Sequence, residues 1–268
     1  MVDFASVTDR QQAMWATGDF HRIGVSQIGV GERLVRSLKV RAGERVLDVA
    51  AGAGNTALAS ARRFADVIAT DYVPDLLGHA EERARAEGLP LETAVADAQD
   101  LPYSEGTFDV VTSTFGAMFA PDQERTAREL IRVLKRGGRL GMASWTPDGL
   151  VGEMFAVGAR YLPPPEGLRP PSRWGTEEGV RELLGDSISD LQVRTRISDF
   201  VYPSVEFMLE YYKSWFGPTA TAFAMLDEQQ AAAYAADLTA AWSRFNIATD
   251  GSVLAPSTYL EIVATKRG

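Results

Sequence analysis

The sequence predicts an α/β fold, a mostly parallel sheet with helices on both faces. Three observations carry this. Arg45-Val46-Leu47-Asp48-Val49 is a short apolar run that feeds a glycine-containing turn, Ala50 to Asn55, and the turn opens a helix-prone stretch, Thr56 to Ala61. Asp71 follows about 20 residues on, at the end of the next apolar run, Val67–Thr70. From Val46 to Ser144, short apolar runs then alternate with amphipathic segments, the pattern of parallel strands joined by crossover helices.

Residues 1–40 read as two helical segments broken at Thr17-Gly18-Asp19, the second with Val25, Ile28, Leu34 and Leu38 at helical spacing. Strands are expected at Val46–Val49, Val67–Thr70, Leu91–Ala96, Phe108–Thr114 and Arg139–Ser144. Pro74 suits a first helical turn, Leu77, Ala80 and Ala84 form that helix's inner face, and Gly88 stops it. After Pro121, Asp122 and Glu124 start a helix whose stripe is Ala127, Leu130, Ile131 and Leu134. Lys135-Arg136 and then Gly137-Gly138 are expected to end it, in agreement with the helix dipole.

Beyond Trp145-Thr146-Pro147 the character changes. Pro163–Pro165 and Pro170-Pro171 mark a rigid connection. Leu191 to Tyr202 alternates as a strand, with Leu191, Val193, Ile197 and Val201 expected on one face and Gln192, Arg194, Arg196 and Ser198 on the other. Thr258–Thr265 is the expected last strand, and the aromatic-rich stretch Ser204 to Phe245 is a helical lid inserted before it. The expected organisation is therefore one domain over 1–268: a helical cap (1–40), a core (41–147), and C-terminal strands with the lid (148–268).

Composition bounds the chemistry. The chain has no cysteine, which excludes disulfides, thiolate metal sites and cysteine nucleophiles, and which fits a reducing compartment. A net charge of −9 with no basic stripe argues against nucleic acid as substrate. Met-Val-Asp-Phe-Ala is not a signal-peptide start, and no apolar run approaches the roughly 18 residues of a membrane span. A cytoplasmic protein with a small-molecule partner is expected.

The glycine turn and Asp71 together suit a nucleoside. Glycines let backbone approach a ligand, and a carboxylate at the next strand end can accept hydrogen bonds from ribose hydroxyls. Asp48, Asp71 and Asp97 all fall at or just beyond predicted strand ends, where open α/β sheets bind ligands. Each could instead be a helix cap. Gly52-x-Gly54-x-x-Ala57 also fits a dinucleotide fingerprint, so an NAD-dependent oxidoreductase is a rival. No tyrosine has lysine four residues on, however, and no hydride-transfer partner stands out.

Val46-Leu47-Asp48-Val49-Ala50-Ala51-Gly52-Ala53-Gly54-Asn55 resembles the first motif of class I S-adenosylmethionine-dependent methyltransferases, most closely the ubiquinone/menaquinone-biosynthesis C-methyltransferase-like branch. The resemblance continues in order through Ala69-Thr70-Asp71-Tyr72, Ala96-Asp97-Ala98-Gln99-Asp100-Leu101-Pro102, Gly106–Val111 and Glu129–Gly138, covering about residues 40–147. It departs at Ala50, where the common pattern has glycine. It implies a Rossmann-like, doubly wound sheet of seven strands with one antiparallel strand. It also implies S-adenosylmethionine as cofactor and S-adenosylhomocysteine as product. Asp48, Gly52, Gly54 and the Ala50 carbonyl would frame the methionine end, with Thr114 nearby. Asp71 would take the ribose hydroxyls, Tyr72 the adenine face, and Asp97 with Ala98 the adenine edge. A homologue that binds this cofactor without methylating remains a second reading.

For the acceptor, Ser113-Thr114-Phe115-Gly116-Ala117-Met118-Phe119 lacks the Asn/Asp-Pro-Pro-aromatic motif of amino-group methylation. A small apolar or aromatic acceptor methylated at O or C is expected. The candidate walls are Phe115, Phe119, Trp145, Tyr211 and Trp215, followed by Met118, Trp174, Tyr212 and Phe216. His21 is the candidate general base, because the family folds its N-terminal helices over the site and histidine titrates near neutrality. His79 is expected to be a solvated helix residue. No metal is expected, Asp122 and Glu124 being explained by the helix dipole.

Overall fold

The computed structural model describes residues 2–268. Three helices precede the sheet: α1 (Phe4–Trp15), α2 (Phe20–Gly24) and α3 (Ile28–Ser37). Gly18 breaks the chain with φ +80°, and Asp19 then caps α2 by accepting from the His21 backbone N–H. Strands and helices alternate next as β1 (Arg45–Val49), α4 (Asn55–Ala61), β2 (Asp66–Asp71), α5 (Pro74–Glu87) and β3 (Glu92–Val95). The core continues with β4 (Phe108–Thr114), α6 (Gln123–Arg132) and β5 (Leu134–Trp145). The C-terminal part holds α7 (Leu150–Tyr161), α8 (Glu177–Leu184), β6 (Ile188–Tyr202), α9 (Val205–Trp215), α10 (Gly217–Met225), α11 (Glu228–Phe245) and β7 (Val253–Lys266).

The seven strands form one sheet in the order β3-β2-β1-β4-β5-β7-β6. Strands β1 to β5 pair in parallel, and β7 runs antiparallel to both β5 and β6. This is the expected Rossmann-like, doubly wound sheet with one antiparallel strand, and α9–α11 lie in the chain between its last two strands as expected. The central position of β1 explains its composition: Val46, Leu47, Asp48 and Val49 are all buried, because helices cover both faces of a parallel sheet. One apolar cluster, with Leu34, Leu38, Val46, Ala57 and Leu77, joins α3, α4 and α5 to the sheet. The other, with Leu130, Leu140, Trp145, Leu238 and Trp242, joins α6, α7, α8 and the α9–α11 helices to it. Chain order reverses at β1, from which β2 and β3 extend one way and β4 the other. That reversal opens a crevice beyond the carboxyl ends of β1 and β4.

Three local expectations are corrected. Helix α6 stops at Arg132, and Leu134 already pairs with Phe108, so Lys135-Arg136-Gly137-Gly138 opens strand β5 instead of ending the helix. Val25 is exposed, while Ile23 and Val30 take the buried positions nearby. On β6 both faces are used: Leu191 and Val193 pack inward near one end, but Ser198 and Phe200, of opposite parity, are buried near the other. Ile197 and Val201 are therefore exposed. The pairing with β7 is unbroken from Asp190 to Tyr202, so the switch does not come from a bulge in that stretch.

Candidate active site

The crevice is built from strand ends. Asp48 lies inside β1, wholly buried, and its carboxylate accepts from Thr112 Oγ1 of β4 (2.7 Å) and from the Ala57 backbone N–H of α4 (2.9 Å). Burial pushes its pKa up to about 7, and the nearby Asp71 charge adds to this. Asp71 ends β2. Its two oxygens accept the backbone N–H groups of Gly52 and Val73, each at 2.9 Å, and burial pushes it up to about 6. Each carboxylate oxygen retains a lone pair after one such bond, so Asp71 still has acceptor capacity for a ligand. Burial also raises the Tyr72 phenol well above its usual value.

Between Asp48 and α4 the backbone turns through left-handed conformations at Ala50 (φ +51°), Gly52 (+54°) and Gly54 (+79°). At Gly54 a Cβ would come within 2.8 Å of Ala80 Cβ on α5. Across the crevice, a Cβ on Gly116 would overlap the Ala50 carbonyl oxygen. The β1 and β4 turns thus touch, and only glycine fits at 116. Thr114 closes this side through a 2.7 Å hydrogen bond between its hydroxyl and that of Thr56. On the far side, Asp97 accepts from the Gln99 backbone and amide, and Gln99 reaches Thr8 of α1 (3.0 Å). Gln12 of α1 donates to the Tyr72 carbonyl, so α1 roofs this half.

The cleft spans about 970 Å³, the open solvent at its mouth included, and is lined by Asp48, Ala50, Gly52, Asp71, Tyr72, Asp97, Ala98 and Thr114, among others. Gly54 stands behind the turn as the cap of α4 and does not line the space. A second chamber, about 400 Å³ with the open solvent at its mouth included, shares lining with it and is walled by Ile23, Trp145, Val151, Met154, Phe155, Phe200, Tyr212 and Phe216. Five residues line both: Trp15, Phe20, Gln27, Phe115 and Phe119.

Residues 46–138 match the model of a family described as a methyltransferase domain. An uncharacterized protein of Mycobacterium tuberculosis strain H37Rv is 40% identical over 81% of this chain and 80% of its own. A demethylmenaquinone methyltransferase of Thermus thermophilus is 40% identical over 44% of this chain, and the match spans 55% of that enzyme. A solved structure of phosphoethanolamine N-methyltransferase 2 from Haemonchus contortus, in complex with S-adenosylhomocysteine, superposes with TM-score 0.60 at 19% identity. It covers 100% of this chain and 61% of the nematode protein. The chain belongs to the class I S-adenosylmethionine-dependent methyltransferases. Its cofactor is S-adenosylmethionine, and the cleft suits that molecule chemically: the buried carboxylates in its lining are apt partners for a cation or a diol, and a glycine turn admits close backbone approach.

In this methyltransferase the expected acceptor walls divide. Phe115, Phe119 and Trp145 line the inner chamber, and Phe115 and Trp145 stack with centroids 3.8 Å apart at 4°. Tyr211 and Trp215 do not line it. Tyr211 donates from its hydroxyl to the Arg22 carbonyl (3.1 Å), and the Arg22 guanidinium lies 4.2 Å from the Trp215 ring centroid, so both tie α9 to α2. Their neighbours Tyr212 and Phe216 occupy the inward face. Trp174 and Met118 are both buried in the core and line neither space.

His21 also stands outside the lining of cleft and chamber. Its ring stacks on His79, centroids 4.8 Å apart, and burial together with the neighbouring His79 and Arg83 lowers its pKa. Its neighbour Phe20 is the α2 side chain that enters the site. His79 is likewise not simply solvated, since its Nε2 lies 3.4 Å from Asp19. Asp122 caps α6 and Glu124 pairs with Arg173 at 2.7 Å, as helix-start acids do. Trp15, Phe20, Gln27, Asn55 and Gly116 were not legible as site residues. The first three come from the N-terminal helices, whose docking no local pattern encodes. Gly116 could have been flagged, because it follows a strand-end aromatic at the fourth strand.

Proposed function

We propose that this methyltransferase methylates an oxygen or carbon atom of a small, apolar, aromatic acceptor seated in the inner chamber. The observation that carries this reading is the chamber itself: its walls are mostly phenylalanine, tryptophan, isoleucine, valine and methionine, and five residues line both it and the cofactor cleft. With the cofactor bound, a sulfonium supplies the activated methyl group. The protein's part is alignment of the acceptor and exclusion of water, which together supply much of the acceleration of an in-line displacement. No dedicated base is required for an activated carbon or a phenolate, in keeping with His21 facing His79 instead of the cleft.

In this reading Asp71 holds the ribose hydroxyls. Tyr72, Asp97 and Ala98 frame the adenine, while Asp48, Ala50, Gly52, Gly54 and Thr114 shape the methionine end. Residues 1–40 and the α9–α11 helices act as covers of a single methyltransferase domain. The net charge of −9 disfavours nucleic acid in the acceptor's place.

Calorimetric titration with S-adenosylhomocysteine tests the cofactor assignment. Micromolar affinity is expected for the wild type, a loss of about 100-fold in Asp71→Ala, and no binding of NADH. Loss of two charge-assisted hydrogen bonds is of this size. Undiminished binding by the variant would overturn the ribose assignment.

A further inference from the structure

The inner chamber carries one feature that an apolar pocket does not need. Gln27 closes the turn between α2 and α3, is 7% exposed, and lines both the cofactor cleft and the chamber. Among the five residues common to both spaces it is the only one whose side chain can both donate and accept a hydrogen bond. The turn places it there: Val25 faces solvent, while Ile23 and Gln27, one helical turn apart, face inward together. Burying an amide is unfavourable unless it is hydrogen-bonded, yet among the described residues the Gln27 side chain has no hydrogen-bond partner. Gln27 is a lining residue of both spaces, and neither of its amide atoms is wholly sealed within protein, as the Gln11 and Gln123 carbonyl oxygens are.

We infer that Gln27 binds the polar atom of the acceptor, and that the acceptor is a planar aromatic molecule bearing a hydroxyl group. This rests on the function proposed above. The stacked Phe115–Trp145 pair and the Trp15 and Phe20 rings offer flat apolar walls for such a ring. The carbonyl of the Gln27 amide accepts from a hydroxyl, and its NH₂ donates to a phenolate or to an aryl ether oxygen. One side chain therefore serves the acceptor before and after methylation. Gln27 also stands where cleft and chamber meet, the region the methyl group must cross, so a hydroxyl held there lies beside the reacting atom.

Two isosteric probes test this with the protein saturated in S-adenosylhomocysteine, which removes any effect on cofactor affinity. The probes are 2-naphthol and 2-methylnaphthalene, with Kd read from tryptophan fluorescence. In Gln27→Leu, and again in Gln27→Met, the affinity for 2-naphthol relative to 2-methylnaphthalene is expected to fall about tenfold, the size of one lost neutral hydrogen bond. The 2-methylnaphthalene affinity should be retained or improved, which shows the chamber to be intact. An unchanged ratio in both variants would overturn the role of Gln27. Failure of 2-naphthol to bind the wild-type complex would overturn the acceptor class while leaving cofactor binding standing. Failure to bind S-adenosylhomocysteine would remove the parent reading, and this inference with it.

Discussion

Asp48 and Asp71 are buried carboxylates that each accept a pair of hydrogen bonds from the protein and still have raised pKa values, about 7 and about 6. Desolvation outweighs the donors in both, so the anionic forms are disfavoured in the free protein and would be favoured by a cationic ligand beside them. This has a signed consequence for stability. A carboxyl whose folded pKa lies above its unfolded value contributes stability that is full below the unfolded value and is lost as pH rises through the folded one. For Asp48 the window runs from about 4 to about 7. Asparagine does not titrate, and with Nδ2 donating to Thr112 and Oδ1 accepting from Ala57 it can keep two bonds. The Tm of Asp48→Asn relative to wild type should therefore rise between pH 5 and pH 8, by on the order of 5 °C. A difference independent of pH, read by calorimetry on the cofactor-free protein, would contradict the assignment. At this scale the strand-end aspartates and the glycine turn were legible, because their positions follow from chain-local patterns. Gln27 and Phe20 were not, since their roles depend on which way a short helix faces after docking.

At the scale of elements, the site depends on two turns pressed together. The β1 turn places the Ala50 carbonyl where a Cβ on Gly116 would stand, so the β4 turn can approach only because residue 116 lacks one. Ala50 and Phe115 both hold left-handed conformations, φ +51° and +55°, in which side chains are rarely found, and packing must sustain them. Gly116→Ala is expected to destabilise the protein by about 1–3 kcal/mol through this overlap, measured by urea unfolding. A change under about 0.5 kcal/mol would mean that the turns separate easily and that the crevice is not rigidly preset. Helices show where sequence patterns stop being informative. Tyr211, Tyr212, Trp215 and Phe216 were all expected as acceptor walls, but only Tyr212 and Phe216 line the chamber, while Tyr211 and Trp215 contact Arg22. Four aromatics in six residues leave the buried face undetermined until α2 docks against it. The long alternation on β6 failed similarly, because the buried parity changes along the strand, from Leu191 and Val193 to Ser198 and Phe200.

For the whole molecule, the sheet order puts the reversal point between β1 and β4, and the site residues converge there from segments far apart in sequence. Alternating strands and helices made this fold legible before any contact was known, since right-handed crossovers leave few arrangements open. The proposed acceptor chamber was less legible because it is made from the N-terminal helices, the β4 turn, α7, β6 and α9 together. Among the described residues no helix is long and apolar enough to cross a membrane. The proposed reaction is methyl transfer to a small aromatic acceptor in that chamber. The most direct measurement incubates the protein with methyl-labelled S-adenosylmethionine and a panel of hydroxylated and non-hydroxylated aromatic compounds, following labelled product and S-adenosylhomocysteine together. Label is expected in a hydroxylated aromatic product, matched mole for mole by S-adenosylhomocysteine. Label transferred only to protein or nucleic acid, or cofactor bound with no transfer to any small aromatic, would contradict it.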